Sequence, residues 1–185
     1  MIKKVLVING GGRPNGNTAK LVQSFIKGVK DAGHFVDEIS LVKNEVKPCL
    51  GCFACQTGIP CVQKDSFNSM VPKIKESDLL VFASPTYYFD MNARIKAFIE
   101  RLFSVENKFF KGKDPNVPTK DVAMLVTAAD GSAWNFQTMQ MFYKTCFLDW
   151  LKFNDKGMLL AGGIEETIDK TDFLEKAYSF GKNIY

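Results

Sequence analysis

Four of the five cysteines lie within thirteen residues, with the spacing C-x2-C-x2-C-x5-C. They are Cys49, Cys52, Cys55 and Cys61. Thiolates at such short intervals can converge on an iron–sulfur cluster, and Cys-x2-Cys pairs also suit zinc. Unligated cysteines behave as small hydrophobic or redox-active side chains. The segment therefore predicts [4Fe-4S] ligands, zinc ligands or free thiols, and the spacing alone leaves these three open.

A glycine-rich stretch, Gly10-Gly11-Gly12-Arg13-Pro14-Asn15-Gly16-Asn17-Thr18, follows the first apolar run. Its glycines let the backbone turn sharply and approach a ligand, and a helix beginning near Asn17 points N–H groups into the loop. Asn17 and Thr18 are also residue types that cap helices. The sequence is neither a P-loop nor a Gly-x-Gly-x-x-Gly fingerprint. We expect a phosphate site here, against the alternative of a turn without ligand. Its predicted contacts are Gly10, Gly11, Gly12, Arg13, Asn15, Asn17 and Thr18.

Two further loops carry residues suited to a flat heterocycle. The first contains Pro85, Thr86, Tyr87, Tyr88 and Phe89, and Pro85 is expected to end the preceding strand. Its aromatic rings could equally pack against a helix or a partner subunit. The second loop contains the small residues Ala128, Ala129, Asp130 and Gly131. For Asp130 we favour capping of a helix that starts near Ala133 over a ligand contact. Trp134 could cover the ligand or lie in the core.

Alternating apolar segments place these loops at one edge of a sheet. The predicted strands are Lys4–Asn9, Phe35–Leu41, Asp78–Ser84, Asp121–Thr127 and Lys156–Ala161. The predicted helices are Asn17–Ala32, Ser66–Ser77, Asn92–Glu106, Trp134–Leu151 and Thr171–Asn183. Right-handed crossovers convert such a series into a parallel sheet with helices on both faces. Ligands bind such sheets at the carboxyl ends of the strands, where the three loops lie.

Composition narrows the class of protein. The 185 residues fit one domain, 1–185, and Lys plus Arg exceed Asp plus Glu by only 24 to 20. No dense basic run predicts a nucleic-acid partner, and no apolar run approaches the roughly 18 residues of a membrane span. The first apolar run is too short for a signal peptide, so we expect a cytoplasmic protein. The single histidine, His34, argues against Ser-His-Asp or Cys-His catalysis.

Two motifs resemble the NADPH-dependent FMN reductase family. The stretch 10–18 is similar to its phosphate loop Gly-Ser-Pro-Arg-x-x-x-Asn-Thr, departing at Gly11 and Gly12. Ser84–Tyr87 followed by Lys96–Arg101 is similar to its Ser-Pro-x-Tyr…Lys-x-Phe-Ile-Asp-Arg. The resemblance covers residues 2 to about 163. In the family the loop that corresponds to 84–89 wraps the isoalloxazine ring. Lys96 and Arg101 could form a basic cluster for a substrate phosphate, but for Arg101 we favour a solvated charge on an amphipathic helix.

The resemblance implies an α/β flavodoxin-like three-layer sandwich with a five-stranded parallel sheet. It also implies FMN as cofactor, NAD(P)H as electron donor, and a homodimer or higher homo-oligomer. The expected acceptors are a quinone, a nitro compound, a metal ion or free flavin, or a protein partner. Alternatives are an iron–sulfur flavoprotein, which is similar in its body and its four-cysteine motif, a flavodoxin-like electron carrier, or a binding module that has lost flavin.

Overall fold

Apolar strands of β-branched and aliphatic residues build a mostly parallel sheet. The structure, a computed structural model, describes residues 1–106, 110 and 118–185. Five described strands pair in parallel in the order β2-β1-β3-β5-β6, and β4 adds antiparallel to the end of β3. They are β1 Lys4–Asn9, β2 Phe35–Ser40, β3 Leu79–Tyr87, β4 Asp90–Met91, β5 Asp121–Thr127 and β6 Asn154–Ala161.

Helices cover both faces of this sheet, so the predicted flavodoxin-like α/β architecture is confirmed, with β4 as an unpredicted addition. The α-helices among the described residues are α1 Asn17–Asp31, α2 Phe67–Glu76, α3 Ala93–Arg101, α4 Gln137–Phe142 and α5 Phe173–Lys182. One apolar core lies under α1 and α5, and the other lies under α2, α3 and α4. The backbones of α1 and α5 touch, because a Cβ at Gly28 or Gly181 would collide with a carbonyl oxygen of the facing helix.

Three predicted boundaries are wrong. The helix predicted over Asn92–Glu106 ends as α3 at Arg101, and a 3-10 turn Leu102–Ser104 follows. Pro85 does not end β3, because Pro85 pairs with Thr127 of β5, and Thr86 and Tyr87 pair with β4. The helix predicted over 134–151 has three parts: a 3-10 turn at Ala133–Phe136, then α4, then a π-helical segment Tyr143–Trp150. Cys146 lies on this last segment and packs, half-buried, against the core, as predicted.

The β3–β4 hairpin turns through two aromatic residues in the left-handed region. Tyr88 has φ 48° and Phe89 has φ 65°. A two-residue hairpin turn with both φ positive favours Asn-Gly, and bulky residues there cost about 1–3 kcal/mol each. Proteins concentrate such strain at binding sites, so the strained turn indicates that this end of β3 belongs to one.

The helices of residues 1–106, 110 and 118–185 include none with the length and apolar character needed to cross a membrane.

Candidate functional site

The carboxyl ends of β1, β3 and β5 open into one cavity of about 230 Å³, which we call the sheet-edge cavity. It brings together ten of the sixteen residues that the sequence predicts for a ligand. From the glycine-rich loop come Gly11, Gly12, Arg13, Asn17 and Thr18. From the other two loops come Pro85, Thr86, Tyr87, Ala128 and Ala129.

The other six predicted residues lie outside the lining of this cavity. They are Gly10, Asn15, Tyr88, Phe89, Asp130 and Gly131. Gly10 instead fixes the start of the glycine-rich loop: its N–H donates to the Ala83 carbonyl at 2.9 Å, and its own carbonyl accepts from the Asn92 side chain. The position has no room for a side chain, since a Cβ there would collide with Ile95.

The first turn of α1 is open toward the cavity. Gly16 precedes the helix and supplies no side-chain cap. The predicted capping role of Asn17 and Thr18 is wrong, because both side chains are used elsewhere. Asn17 Oδ1 accepts from the Ile168 N–H at 3.1 Å, and the Thr18 and Thr127 hydroxyls lie 2.7 Å apart. Backbone N–H groups of a first turn that no side chain satisfies form a site for an anion.

Side chains behind the glycine-rich loop hold its shape. Asn9 Oδ1 accepts from the Gly11 N–H at 2.9 Å, and Asn9 Nδ2 donates to Glu38 at 2.8 Å. Asn9 is almost fully buried, so its two bonds fix where the loop leaves β1. The loop is therefore held in position by the protein before any ligand arrives.

Charges of both signs surround the sheet-edge cavity. The Arg13 side chain is exposed on the loop, and the Arg94 guanidinium lies beside Gly12, 3.6 Å from where a Cβ on that glycine would stand. Glu165 and Glu166 enter the lining from the loop after β6. The two arginines favour a phosphate at the loop, whereas the glutamates define an acidic wall.

Thr86 lines this cavity and carries a buried hydroxyl. Its Oγ1 has no hydrogen-bond partner among the residues that the structure describes. A buried polar group left unpaired costs about 1–3 kcal/mol, so such groups usually meet a ligand or water. The hydroxyl fits a cavity whose occupant carries polar atoms.

Sequence reasoning missed five residues that line the cavity. They are Gly16, Thr127, Ile164, Glu165 and Glu166. Thr127 is the last residue of a correctly predicted strand, so the strand-end rule could have found it. The segment 164–166 has no motif or periodicity; it reaches the cavity because the Ile164 N–H donates to the Ala128 carbonyl at 3.1 Å.

The aromatic residues form an exposed group beside the cavity. Tyr88 is 99% exposed and Trp134 is 52% exposed, so Trp134 does not lie in the core. The rings of Phe89 and Trp134 pack with centroids 5.0 Å apart. Asp130 accepts from the Ser132 N–H at 2.7 Å just before the 3-10 turn, and the turn itself has no side-chain cap, so the predicted capping role is wrong. This hydrogen bond lowers the pKa of Asp130.

The four clustered cysteines line a separate small cavity of about 30 Å³ next to α3. Cys49 and Cys52 are exposed, and Cys55 and Cys61 are half-buried. Burial raises the pKa of the Cys55 thiol. In the part of the chain that the structure describes, no three Cys, His, Asp or Glu side chains converge at metal-binding geometry.

Arg101 does not carry the solvated charge favoured from the sequence. It is 1% exposed and donates to both carboxylate oxygens of Asp65, at 2.6 and 3.2 Å. It also donates to the Lys47 carbonyl at 3.1 Å and lies over the Phe67 ring. Lys96, the other residue of that interpretation, pairs with Glu100 at 2.8 Å. The sequence pattern missed Arg101 because Asp65 is 36 residues away.

Comparisons with known proteins agree with the family resemblance of the two sequence motifs. A family model described as NADPH-dependent FMN reductase matches residues 3–155. An iron-sulfur flavoprotein of Archaeoglobus fulgidus is 31% identical over 111 residues, 60% of this chain and 50% of the relative. A candidate NAD(P)H-dependent FMN-containing oxidoreductase of Bacillus subtilis is 38% identical over 98 residues, 53% of this chain and 51% of that protein. The chain thus spans about half the length of these relatives.

A solved structure shares the fold over the whole chain. The NAD(P)H:quinone oxidoreductase from Methanothermobacter marburgensis aligns with a TM-score of 0.77 at 16% identity. The alignment covers 100% of this chain and 98% of that one. At this identity the likeness concerns the fold.

Proposed function

Because the chain belongs to the NADPH-dependent FMN reductase family, we propose that FMN binds in the sheet-edge cavity and that the protein passes electrons from NAD(P)H to an acceptor. The acceptor is a quinone, a nitro compound, a metal ion or free flavin. The observation that carries the proposal is the cavity itself, which is lined by the open first turn of α1, by Arg13 and by Thr86, whose buried hydroxyl has no partner among the described residues.

Different residues of the cavity would hold the phosphate and the ring of FMN. The FMN phosphate would be held on the glycine-rich loop, where the N–H groups of Gly12 and of the first turn of α1 would donate to it and Arg13 would balance its charge. The ring would be held between the last residues of β3, Pro85–Tyr87, and the small residues Ala128 and Ala129. When bound, FMN supplies the redox chemistry, taking a hydride from the nicotinamide and releasing electrons to the acceptor.

The protein's own part in this reaction is positioning. Thr86 donates a hydrogen bond to the ligand and fixes its depth in the cavity. Tyr87 lies at the cavity rim, and the Phe89–Trp134 pair beside it offers an aromatic surface to a flat acceptor. Since the transferred charge resides on the ligand, no side chain has to act as acid or base.

The test is reconstitution of the purified protein with FMN, followed by NADH and NADPH oxidation against each acceptor class. We expect a stoichiometric yellow complex and acceptor-dependent oxidation of the nicotinamide. A protein that takes up no FMN overturns the proposal. A protein that binds FMN but is reduced only by another protein identifies it as a flavodoxin-like carrier.

A second candidate, an iron–sulfur flavoprotein, is favoured by the cysteine spacing and by the name of the Archaeoglobus relative. The described arrangement does not fit a [4Fe-4S] cube, because the cavity holds only about 30 Å³ and its ligands do not converge. We therefore propose that these cysteines are thiols in this conformation. Iron and sulfide analysis of protein purified without oxygen tests this. About four irons per chain would show that the four cysteines are cluster ligands and not free thiols.

We also propose that the protein is a homodimer or higher homo-oligomer. The support is the group of exposed aromatic side chains, Tyr88, Phe89 and Trp134, on one side of the hairpin. Light scattering of the purified protein measures the mass, and a strict monomer at micromolar concentration contradicts this part of the proposal.

A further inference from the structure

A second cavity, which we call the β2-side cavity, adjoins the sheet-edge cavity and holds about 330 Å³. Both cavities are lined by Gly11 and Arg13, so the glycine-rich loop is their common wall. A ligand whose phosphate lies on this loop can therefore extend to either side. FMN, with one phosphate at its end, occupies one side only.

An oriented carboxylate lies in the β2-side cavity. Glu38 is exposed on β2, and its two oxygens accept from Asn9 Nδ2 at 2.8 Å and from Gln23 Nε2 at 2.7 Å. A carboxylate has about four acceptor sites, so two remain for a ligand. Hydroxyl groups of a ligand can donate hydrogen bonds to these two remaining acceptor sites. In α/β folds that bind dinucleotides, an acidic residue about 20 residues beyond the phosphate loop accepts from a ribose hydroxyl. Glu38 has this spacing from Thr18.

Two cationic side chains line the same cavity as that carboxylate. Arg13 lines the cavity from the glycine-rich loop, and Lys43 lines it from the turn after β2. Among the described residues neither side chain forms an ion pair. The cavity also has an apolar part, formed by Pro14, Ala19 and Val42. It therefore combines phosphate-binding cations, a ribose acceptor and an apolar surface for a base.

We propose that the β2-side cavity binds an adenosine 5′-phosphate group, with the ribose on Glu38 and the phosphates between Arg13 and Lys43. The inference rests on the proposed function and extends it, because the group belongs to a dinucleotide used in the same reaction. The dinucleotide is either the reduced nicotinamide, whose other half reaches the flavin, or FAD bound in place of FMN. Both present the same chemistry to the cavity.

The first experiment titrates ADP into the FMN-loaded protein by calorimetry. Lys43→Glu reverses a charge that does not line the sheet-edge cavity, so the FMN dissociation constant should stay unchanged while the ADP dissociation constant rises at least fivefold. Lys30→Glu, at the far end of α1, makes the same charge change outside both cavities and should leave ADP binding unaltered.

A second variant tests the ribose contact. Glu38→Gln keeps the size of the side chain and removes its charge. It should weaken ADP about threefold to tenfold and leave inorganic pyrophosphate unchanged or tighter. If ADP and pyrophosphate weaken together, the effect passes through the glycine-rich loop and the ribose assignment is wrong.

Two further measurements identify the source of the group. Competition between ADP and NADH, with a higher KM for NADH in Lys43→Glu at unchanged kcat, assigns it to the nicotinamide. Tighter binding of FAD than of FMN to the apoprotein, lost in Lys43→Glu, assigns it to the flavin. Absence of ADP binding at millimolar concentration, or equal weakening in Lys43→Glu and Lys30→Glu, overturns the inference. FMN uptake is measured first, so a failure of the proposed function shows separately.

Discussion

Replacing Thr86 with valine should have opposite effects on the empty and the FMN-loaded protein. The Thr86 hydroxyl is buried and unpaired in the described part of the chain, and such a group costs about 1–3 kcal/mol. Valine has nearly the same shape and suits a strand. We therefore expect Thr86→Val to raise the free energy of unfolding of the apoprotein by about 1 kcal/mol, or about 2–4 °C in Tm for a chain of this size.

The same variant should bind FMN less tightly. If the hydroxyl donates to the bound ligand, its loss removes one hydrogen bond of about 1 kcal/mol, which corresponds to about a fivefold higher Kd. Thermal unfolding of the apoprotein measures the first effect, and quenching of FMN fluorescence measures the second. A more stable apoprotein together with weaker FMN binding distinguishes a ligand contact from a merely structural role of the hydroxyl.

Thr18→Val is the matched control, because it is the same change in the same cavity at a hydroxyl that has a partner. It breaks the 2.7 Å contact with Thr127 and leaves that hydroxyl buried, so the apoprotein should lose about 1–2 kcal/mol. If Thr86→Val also lowers the stability of the apoprotein, or leaves the FMN Kd unchanged, the reasoning from the unpaired hydroxyl is refuted.

Four other perturbations test separate features. Arg13→Ala should weaken FMN by about 1.5 kcal/mol, roughly tenfold in Kd, because a charged phosphate contact is lost; riboflavin, which lacks the phosphate, should bind both proteins equally, and equal losses would contradict the assignment. Phe89→Gly should raise the free energy of unfolding by about 1 kcal/mol, since glycine adopts the positive φ of this turn without strain; chemical denaturation checks this, and a destabilised variant would show that ring packing outweighs strain. Asp65→Asn should cost about 3–5 kcal/mol at neutral pH by leaving the Arg101 charge buried without its partner. Burial opposes ionisation of Asp65, but hydrogen bonds from Arg101 and the backbone outweigh it and lower its pKa, so the wild type alone should lose this stability as the pH falls below the usual aspartate range. Burial lowers the pKa of Lys120 to about 8, so folding is opposed by the buried charge below that pH. The free energy of unfolding of the wild type, compared with that of Lys120→Met, should therefore rise between about pH 8 and 10.5. Parallel pH profiles of the two proteins would refute the lowered pKa.

The sequence predicts the body of the fold well because its signals there are local. The apolar run at Lys4–Asn9 becomes β1 with those limits, and α1 ends at Asp31, followed by Gly33 with φ 82°. The loops at the strand ends were predictable for the same reason. A parallel sheet brings those ends together whatever the loops contain, so ten predicted residues meet in the sheet-edge cavity.

The errors concern residues whose surroundings are distant in the sequence. Arg101 reads as a helix surface charge, and only the folded chain brings Asp65 to it. Pro85 reads as a strand end, but at the end of β3 its missing N–H is tolerated while Thr86 and Tyr87 pair with β4. Glu165 follows the last strand and has no motif, so its position in the cavity depends on the packing of two loops.

The ion pair of Arg101 and Asp65 also has an evolutionary consequence. It closes the base of the segment 47–66, all of which the structure describes and none of whose residues is buried as a whole. Doubling the length of a flexible loop adds only about 0.6 kcal/mol of closure cost. Insertions, deletions and changed cysteine intervals should therefore accumulate in this segment without loss of the fold. A change in the cysteine intervals would then alter the chemistry of this segment while the Arg101–Asp65 pair keeps its two ends together.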